Sequence, residues 1–188
     1  MDMVLTPRGL RMGNRILPCS IGRGGLTQHK REGDGATPVG THRIVGMLYR
    51  CDRIARPTDW AIPIKPFDVW SDDAHDVDYN MMVRAPHPYS HEKMRRADPM
   101  YDLVILTDWN WPYPCKGAGS AIFIHEWRRP HAPTAGCIGL SRAHYYGSHN
   151  RFDMKHGCLS RRWHPRSENS GSNANMRCAE LDRLFKII

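Results

Sequence analysis

The stretch from Ser120 to Leu140, SAIFIHEWRRPHAPTAGCIGL, constrains what this chain can become more than any other. It opens on the apolar run Ala121-Ile122-Phe123-Ile124, and a short run of β-branched and aromatic residues fits a buried strand. The run ends on His125, and a loop containing Pro133 and Gly136 then returns with Cys137. A strand that delivers an imidazole and a Pro/Gly loop that returns a thiol bring together a Cys–His pair. The thiol needs a nearby base because the thiolate is the nucleophile, and free cysteine, with a pKa of about 8.5, is mostly protonated at neutral pH. His125 is therefore expected to pull the Cys137 thiol down by ion pairing, toward about 3.5 to 7.5. Gly136 lets the backbone turn tightly, so that the Gly136 and Cys137 amides can point at a developing oxyanion. On spacing alone, the competing assignment is a buried small hydrophobe beside a satisfied histidine.

Short strands recur along the rest of the chain. Arg15 to Gly22 is a plausible strand between two glycine turns, Thr41 to Tyr49 alternates, and Met100 to Asn110 (MYDLVILTDWN) gives a second apolar strand. The Lys30 to Ile44 segment carries three glycines before Thr41 at 33, 35 and 40 and a proline at 38, a turn-rich loop feeding the Thr41 strand. It has no GK[ST] ending and no GxGxxG, so it is not a phosphate cradle. From Cys51 to Arg96 there is little periodicity. Asp68 to Asp73 and Asp76 to Asn80 read as loop, and the spacing of a calcium-binding EF-hand is absent. His87, Tyr89 and His91 are candidates to line a cleft. Residues 147–175 are polar and basic and read as loop or disorder, whereas Met176 to Ile188 has a helical pattern of apolar positions.

Charge and cysteine usage exclude several classes. The net charge is +8, which favours anionic partners such as nucleic acid, lipid headgroups or an acidic cell-wall polymer. Residues 141–188 hold nine Lys/Arg and four Asp/Glu, or +5, so the excess lies mainly away from the Cys–His block. Six cysteines at 19, 51, 115, 137, 158 and 178 are too sparse for a disulfide scaffold, and no CxxC pair suggests a zinc ribbon or redox centre. His156, Cys158, His164 and Cys178 match no standard zinc spacing, so no metal is expected. No apolar run approaches membrane-spanning length, and Met1 to Arg8 shows no basic region leading into an apolar one.

The Ile-Phe-Ile-His125 strand with Pro133-Thr134-Ala135-Gly136-Cys137-Ile138 resembles the catalytic segment of the YkuD-type L,D-transpeptidase family. Upstream, Lys30, Gly33, Thr37-Pro38 and Gly40 resemble a second element of that family, K-x-x-G-x-x-x-T-P-x-G, and the Tyr101-Asp102-Leu103-Val104-Ile105 run is similar to one branch of it. The resemblance covers residues 1 to about 142. It implies a mainly β fold, an L,D-transpeptidase-like sandwich or mixed sheet with long loops and one or two short helices. It divides the chain into a catalytic domain over 1–142 and a divergent basic tail over 143–188, partly disordered and ending in a short helix. It implies Cys137 as nucleophile, His125 as base and Gly136 at the oxyanion site, with a backbone carbonyl rather than a side chain orienting His125. No cofactor is needed. Thr134, Arg128 and Arg129 are the expected substrate contacts, and the partners are peptidoglycan stem peptides, with no nucleic acid and no membrane span. The substrate implies a periplasmic or cell-envelope location, with a cytoplasmic one as the alternative because no export signal is visible. Two departures stand out: Gly139 occupies a position where many members have Arg, and Glu126 follows the histidine in place of a small residue. They leave an alternative, a catalytically impaired basic module on this fold that binds cell-wall polymer or another polyanion.

Overall fold

The structure, a computed structural model, describes residues 3–149 and 184–187; for 146–149 and 184–187 only the backbone is described. The strands are β1 (Met3–Thr6), β2 (Gly9–Met12), β3 (Arg15–Leu17), β4 (Cys19–Ser20), β5 (Leu26–Thr27), β6 (Thr37–Pro38), β7 (Gly40–Tyr49) and β8 (Ile62–Pro63). They continue with β9 (Asp68–Ser71), β10 (Met82–Arg84), β11 (His91–Lys93), β12 (Leu103–Thr107), β13 (Phe123–Glu126) and β14 (Ile138–Leu140). A helix, α1 (Arg142–His149), and a last strand, β15 (Leu184–Ile187), follow. The chain is mainly β, as its pattern implies.

Ten strands form one mixed sheet in the order β3-β2-β1-β15-β7-β12-β13-β14-β4, with β8 paired to β7 off that path. The two end strands, β3 and β4, are separated in sequence only by Pro18, which has no N–H to continue a ladder. The sheet is therefore rolled until its edges meet at that proline. Arg15 to Gly22 is accordingly two strands that break at Pro18.

β12 is buried at all five positions because it lies between β7 and β13 with a core on each side. Successive side chains of a strand point to opposite faces, so the run divides. Leu103 and Ile105 join Met47, Ile124, Ile138, Leu140 and Leu10 inside the rolled sheet. Val104 and Leu106 face the other way and meet Leu48, Trp70, Tyr101, Phe123 and Cys137. That second core is closed by a three-stranded sheet, β10-β9-β11. Asp68 to Ser71, read above as loop, is its fully buried central strand. The acidic residues hid it. Asp68 accepts from the Lys65 amide at 2.7 Å, and local polar partners let it sit at a buried strand start.

Beyond Ser141 the chain re-enters the sheet. α1 seats Tyr145, fully buried, and its hydroxyl lies 3.0 and 2.8 Å from the Leu103 and Ile124 carbonyls. The helix expected over Met176 to Ile188 is corrected at its end, because Leu184–Ile187 is a strand, parallel to β1 and antiparallel to β7. A slot with an unpaired edge on both sides satisfies backbone groups that helix periodicity alone would satisfy locally, so tertiary pairing wins. α1 straddles residue 142, the boundary drawn from sequence, and β15 lies beyond it. The stretch 147–175 is almost wholly outside the described residues.

Candidate active site

β13 and β14 run parallel, with Ile124 opposite Ile138 and His125 opposite Gly139. Phe123, His125, Cys137 and Gly139 therefore share one face of the sheet. Phe123 donates its amide to Cys137 Sγ at 3.4 Å, and the thiol donates to the Ala121 carbonyl at 3.0 Å. His125, one residue short of the strand's end, has Nδ1 2.7 Å from the Glu126 carbonyl oxygen. A carbonyl oxygen only accepts, so Nδ1 carries the hydrogen and Nε2 is the basic atom of the neutral ring. The orienting group is thus a backbone carbonyl. Glu126's own carboxylate instead pairs with Arg142 at 3.1 Å.

The loop entering Cys137 is locked from below by the upstream glycine-rich loop. Thr37 Oγ1 donates to the Gly136 carbonyl at 2.8 Å and accepts the Gly22 amide at 2.8 Å. Gly136 has φ 141°, and a Cβ there would lie 2.9 Å from the Ala36 carbonyl oxygen, so only glycine fits. Asp34 holds the upstream loop's turn, accepting the Arg31 and Ala36 amides at 2.8 Å each and an ion pair from buried Lys30. The two sequence elements that stand about a hundred residues apart are one piece of structure.

The expected ion pair is overturned. Burial pushes the Cys137 thiol up to about 12, Glu92's charge pushes the same way, and the Phe123 amide and Lys30 only partly oppose them. Burial likewise pushes His125 down to about 4, against the pull of the Glu126 carbonyl. The resting pair is a neutral thiol and a neutral imidazole, because a desolvated site disfavours both charged forms. The thiol proton is given to Ala121, and no hydrogen bond joins Sγ to His125.

The remaining expected site residues fall in different places. Thr134 Oγ1 donates to the Cys137 carbonyl at 2.6 Å and accepts the Gly136 amide at 3.2 Å, so its hydroxyl is engaged within the loop. That second bond also removes the Gly136 amide from the expected oxyanion pair, and the Cys137 amide is left as the donor beside the sulfur. Arg128 and Arg129 are exposed on the β13–β14 loop. Gly139 sits in a tight place: a Cβ there would meet Trp127 Cβ at 3.1 Å and Ser20 Cβ at 3.3 Å, so an arginine fits only if those neighbours give way by a few tenths of an ångström. His87, Tyr89 and His91 do cluster, with ring centroids 5.7 and 5.8 Å from His87, and Asp76 accepts from His87 at 2.6 Å.

Three groups at the site were not read from sequence. Tyr101 packs edge-on against His125, with centroids 5.2 Å apart, and donates its hydroxyl to Glu92 at 2.7 Å. Arg96 lies over the Tyr101 ring at 5.3 Å and is held by Asp98 through two hydrogen bonds of 2.8 and 2.6 Å. Only Tyr101 carried a signal, as part of the Tyr-Asp-Leu-Val-Ile run. Glu92 and Arg96 sit in an aperiodic segment whose short strand β11 is recognisable only once β9 is placed.

A family model of the L,D-transpeptidase catalytic domain (YkuD) matches residues 6–154. The chain belongs to that family, and its match runs past Arg142 through α1. No curated protein and no solved structure matches the chain. Membership makes it a protein of peptidoglycan-related substrates, and among the described residues no helix is long and apolar enough to cross a membrane.

Proposed function

We propose that the chain is a cysteine-dependent L,D-transpeptidase that acts on peptidoglycan stem peptides at the cell envelope. The observation that carries this reading is the shared face of β13 and β14, on which Cys137 and an imidazole fixed by the Glu126 carbonyl stand two strand positions from one another's register. Because the resting pair is neutral, the thiol leaves Ala121 and attacks the carbonyl of an L-to-D peptide bond as Nε2 of His125 takes its proton. The C–S bond forms, and the oxyanion is received by the Cys137 amide. The C–N bond then breaks, and His125 returns the proton to the departing D-amino acid nitrogen. A thioester remains. An amine of a second stem resolves it to a cross-link; water in its place gives L,D-carboxypeptidase activity.

Gly136 holds the loop turn, and Thr134 positions the Cys137 carbonyl. Arg128 and Arg129, both exposed, are assigned to meet carboxylates of the arriving stem. The test is intact-mass spectrometry after incubation with a stem tetrapeptide. The expected species is the protein plus donor less its terminal D-amino acid, absent in Cys137→Ala. A folded wild-type chain that binds the peptide and never gains that mass would instead be a non-catalytic binding module.

A further inference from the structure

The three-stranded sheet reaches the Cys–His face with a carboxylate that nucleophile activation does not use. Glu92 on β11 stands opposite Trp70 on β9, so the two side chains share a face. Trp70 packs edge-on against Phe123 at 4.8 Å, and the Phe123 amide is the one that bonds Cys137 Sγ. Tyr101, in contact with His125 on one side, ties Glu92 Oε1 at 2.7 Å on the other. Glu92 therefore projects into the same core face as the thiol and the imidazole.

Its partners leave a role open. The Tyr101 hydroxyl donates to Glu92, and Arg96, whose charge also acts on Glu92, makes its hydrogen-bonded ion pair with Asp98. No salt bridge engages Glu92 among the described residues. A packing role would be met as well by Gln, without a charge. The charge moreover opposes the thiolate, since Glu92 helps hold the Cys137 thiol up. That opposition disappears once the sulfur is a neutral thioester. A carboxylate unfavourable to the first half-reaction and harmless in the second is suited to a cation that arrives between them.

Building on the transpeptidase assignment, we propose that Glu92 is the catalytic residue that receives the acceptor's primary ammonium, held in place by Tyr101, and takes its first proton. Amines arrive protonated at neutral pH and cannot attack until that proton leaves. The ammonium gives one proton to the Glu92 carboxylate, and the free amine adds to the thioester carbonyl. The adduct gives its second proton to His125. The C–S bond breaks, His125 protonates the departing sulfur, and Glu92 releases its proton to water. The groups facing Glu92 are Tyr101, Arg96, Asp72 and Cys137, and burial holds its carboxyl above the usual carboxylate range, where it is a better proton acceptor.

The test isolates the second half-reaction. Acyl-enzyme formed from a stem tetrapeptide is followed by intact mass while it decays with glycinamide, an ammonium, or with hydroxylamine, which is largely uncharged at neutral pH. In Glu92→Gln, acylation should be as fast as in wild type or faster, because the opposing charge is gone, and decay with hydroxylamine should persist, while decay with glycinamide should slow on the order of 100-fold relative to decay with hydroxylamine. Tyr101→Phe, which keeps the ring against His125 and removes only the hydroxyl, should show the same split, smaller, and Glu92→Asp should restore part of it. Equal effects on the two nucleophiles, in Glu92→Gln or, where that variant does not fold, in Tyr101→Phe, overturn the proposal. Failure of the wild-type protein to acylate would instead overturn the transpeptidase assignment on which it rests.

Discussion

The two faces of β12, β13 and β14 are built from alternate residues of the same strands, yet they do different work. One face presents Leu103, Ile105, Ile124, Ile138 and Leu140 to the interior of the rolled sheet, and its described contacts there are almost wholly apolar. The other presents Val104, Leu106, Phe123, His125 and Cys137 to the three-stranded sheet, and Tyr101, Glu92 and Arg96 come to meet it. A period of two residues is enough to separate an apolar core from the face that carries Cys137 and His125. It also means that a one-residue slip of β13 would turn His125 into the apolar interior and Ile124 onto the face beside Cys137.

The separation can be broken experimentally. Cys137→Ala should abolish acylation completely with little change in unfolding midpoint, while Ala at Cys19, Cys51, Cys115, Cys158 or Cys178 largely keeps it. Ile105→Ala, two strands away on the opposite face, should do the reverse. Urea unfolding should show a loss of about 2–5 kcal/mol, with the folded fraction still acylated to full stoichiometry. Equal damage to both properties by either variant would erase the distinction between the faces.

His125 gives a smaller effect with a defined sign. Its folded-state value, about 4, lies below the ordinary 6.5, so between those values the unfolded chain binds the extra proton. Stability contributed by the neutral ring is complete above pH 6.5 and is lost as pH falls toward 4, by at most about 3 kcal/mol. Subtracting the pH–stability curve of His125→Gln from that of wild type should isolate this slope, and a difference curve flat across the window would contradict the buried neutral ring. Thr37→Val tests the support beneath the site. It strands the buried Gly136 carbonyl and Gly22 amide, and should cost about 1–3 kcal/mol and slow acylation. The smallest signal is the order of iodoacetamide labelling at neutral pH. Exposed Cys51 and Cys115 should react before Cys137, whose rate should climb with pH without a neutral plateau.

Much of this was legible in the residues. Short β-branched runs announced the strands, and the order strand, His125, Pro/Gly loop, Cys137 announced the site. The Thr37-Pro38 loop was recognisable as a second family element, but only the structure shows what it does: its hydroxyl and carbonyls are the bed on which Gly136 lies. Other parts were hidden for physical reasons. The state of the pair depends on desolvation, which residue spacing does not report, so the expected thiolate proved to be a buried thiol. β9 was masked by aspartates satisfied locally. β15 was masked because Met176 to Ile188 supports a helical period equally well, and the slot between β1 and β7 decides. Gly139 looked like a lost arginine, and the structure adds that Trp127 and Ser20 crowd the position.

The central claim is that Cys137, though resting as a neutral thiol, is the nucleophile of the reactive face. Exposure of the full chain to a carbapenem, followed by peptide mapping of the adduct, tests it most directly. The account predicts one adduct per chain, on Cys137, lost in His125→Gln as well as in Cys137→Ala. An adduct on Cys51 or Cys115 with Cys137 unmodified, in a protein that remains folded, would contradict it.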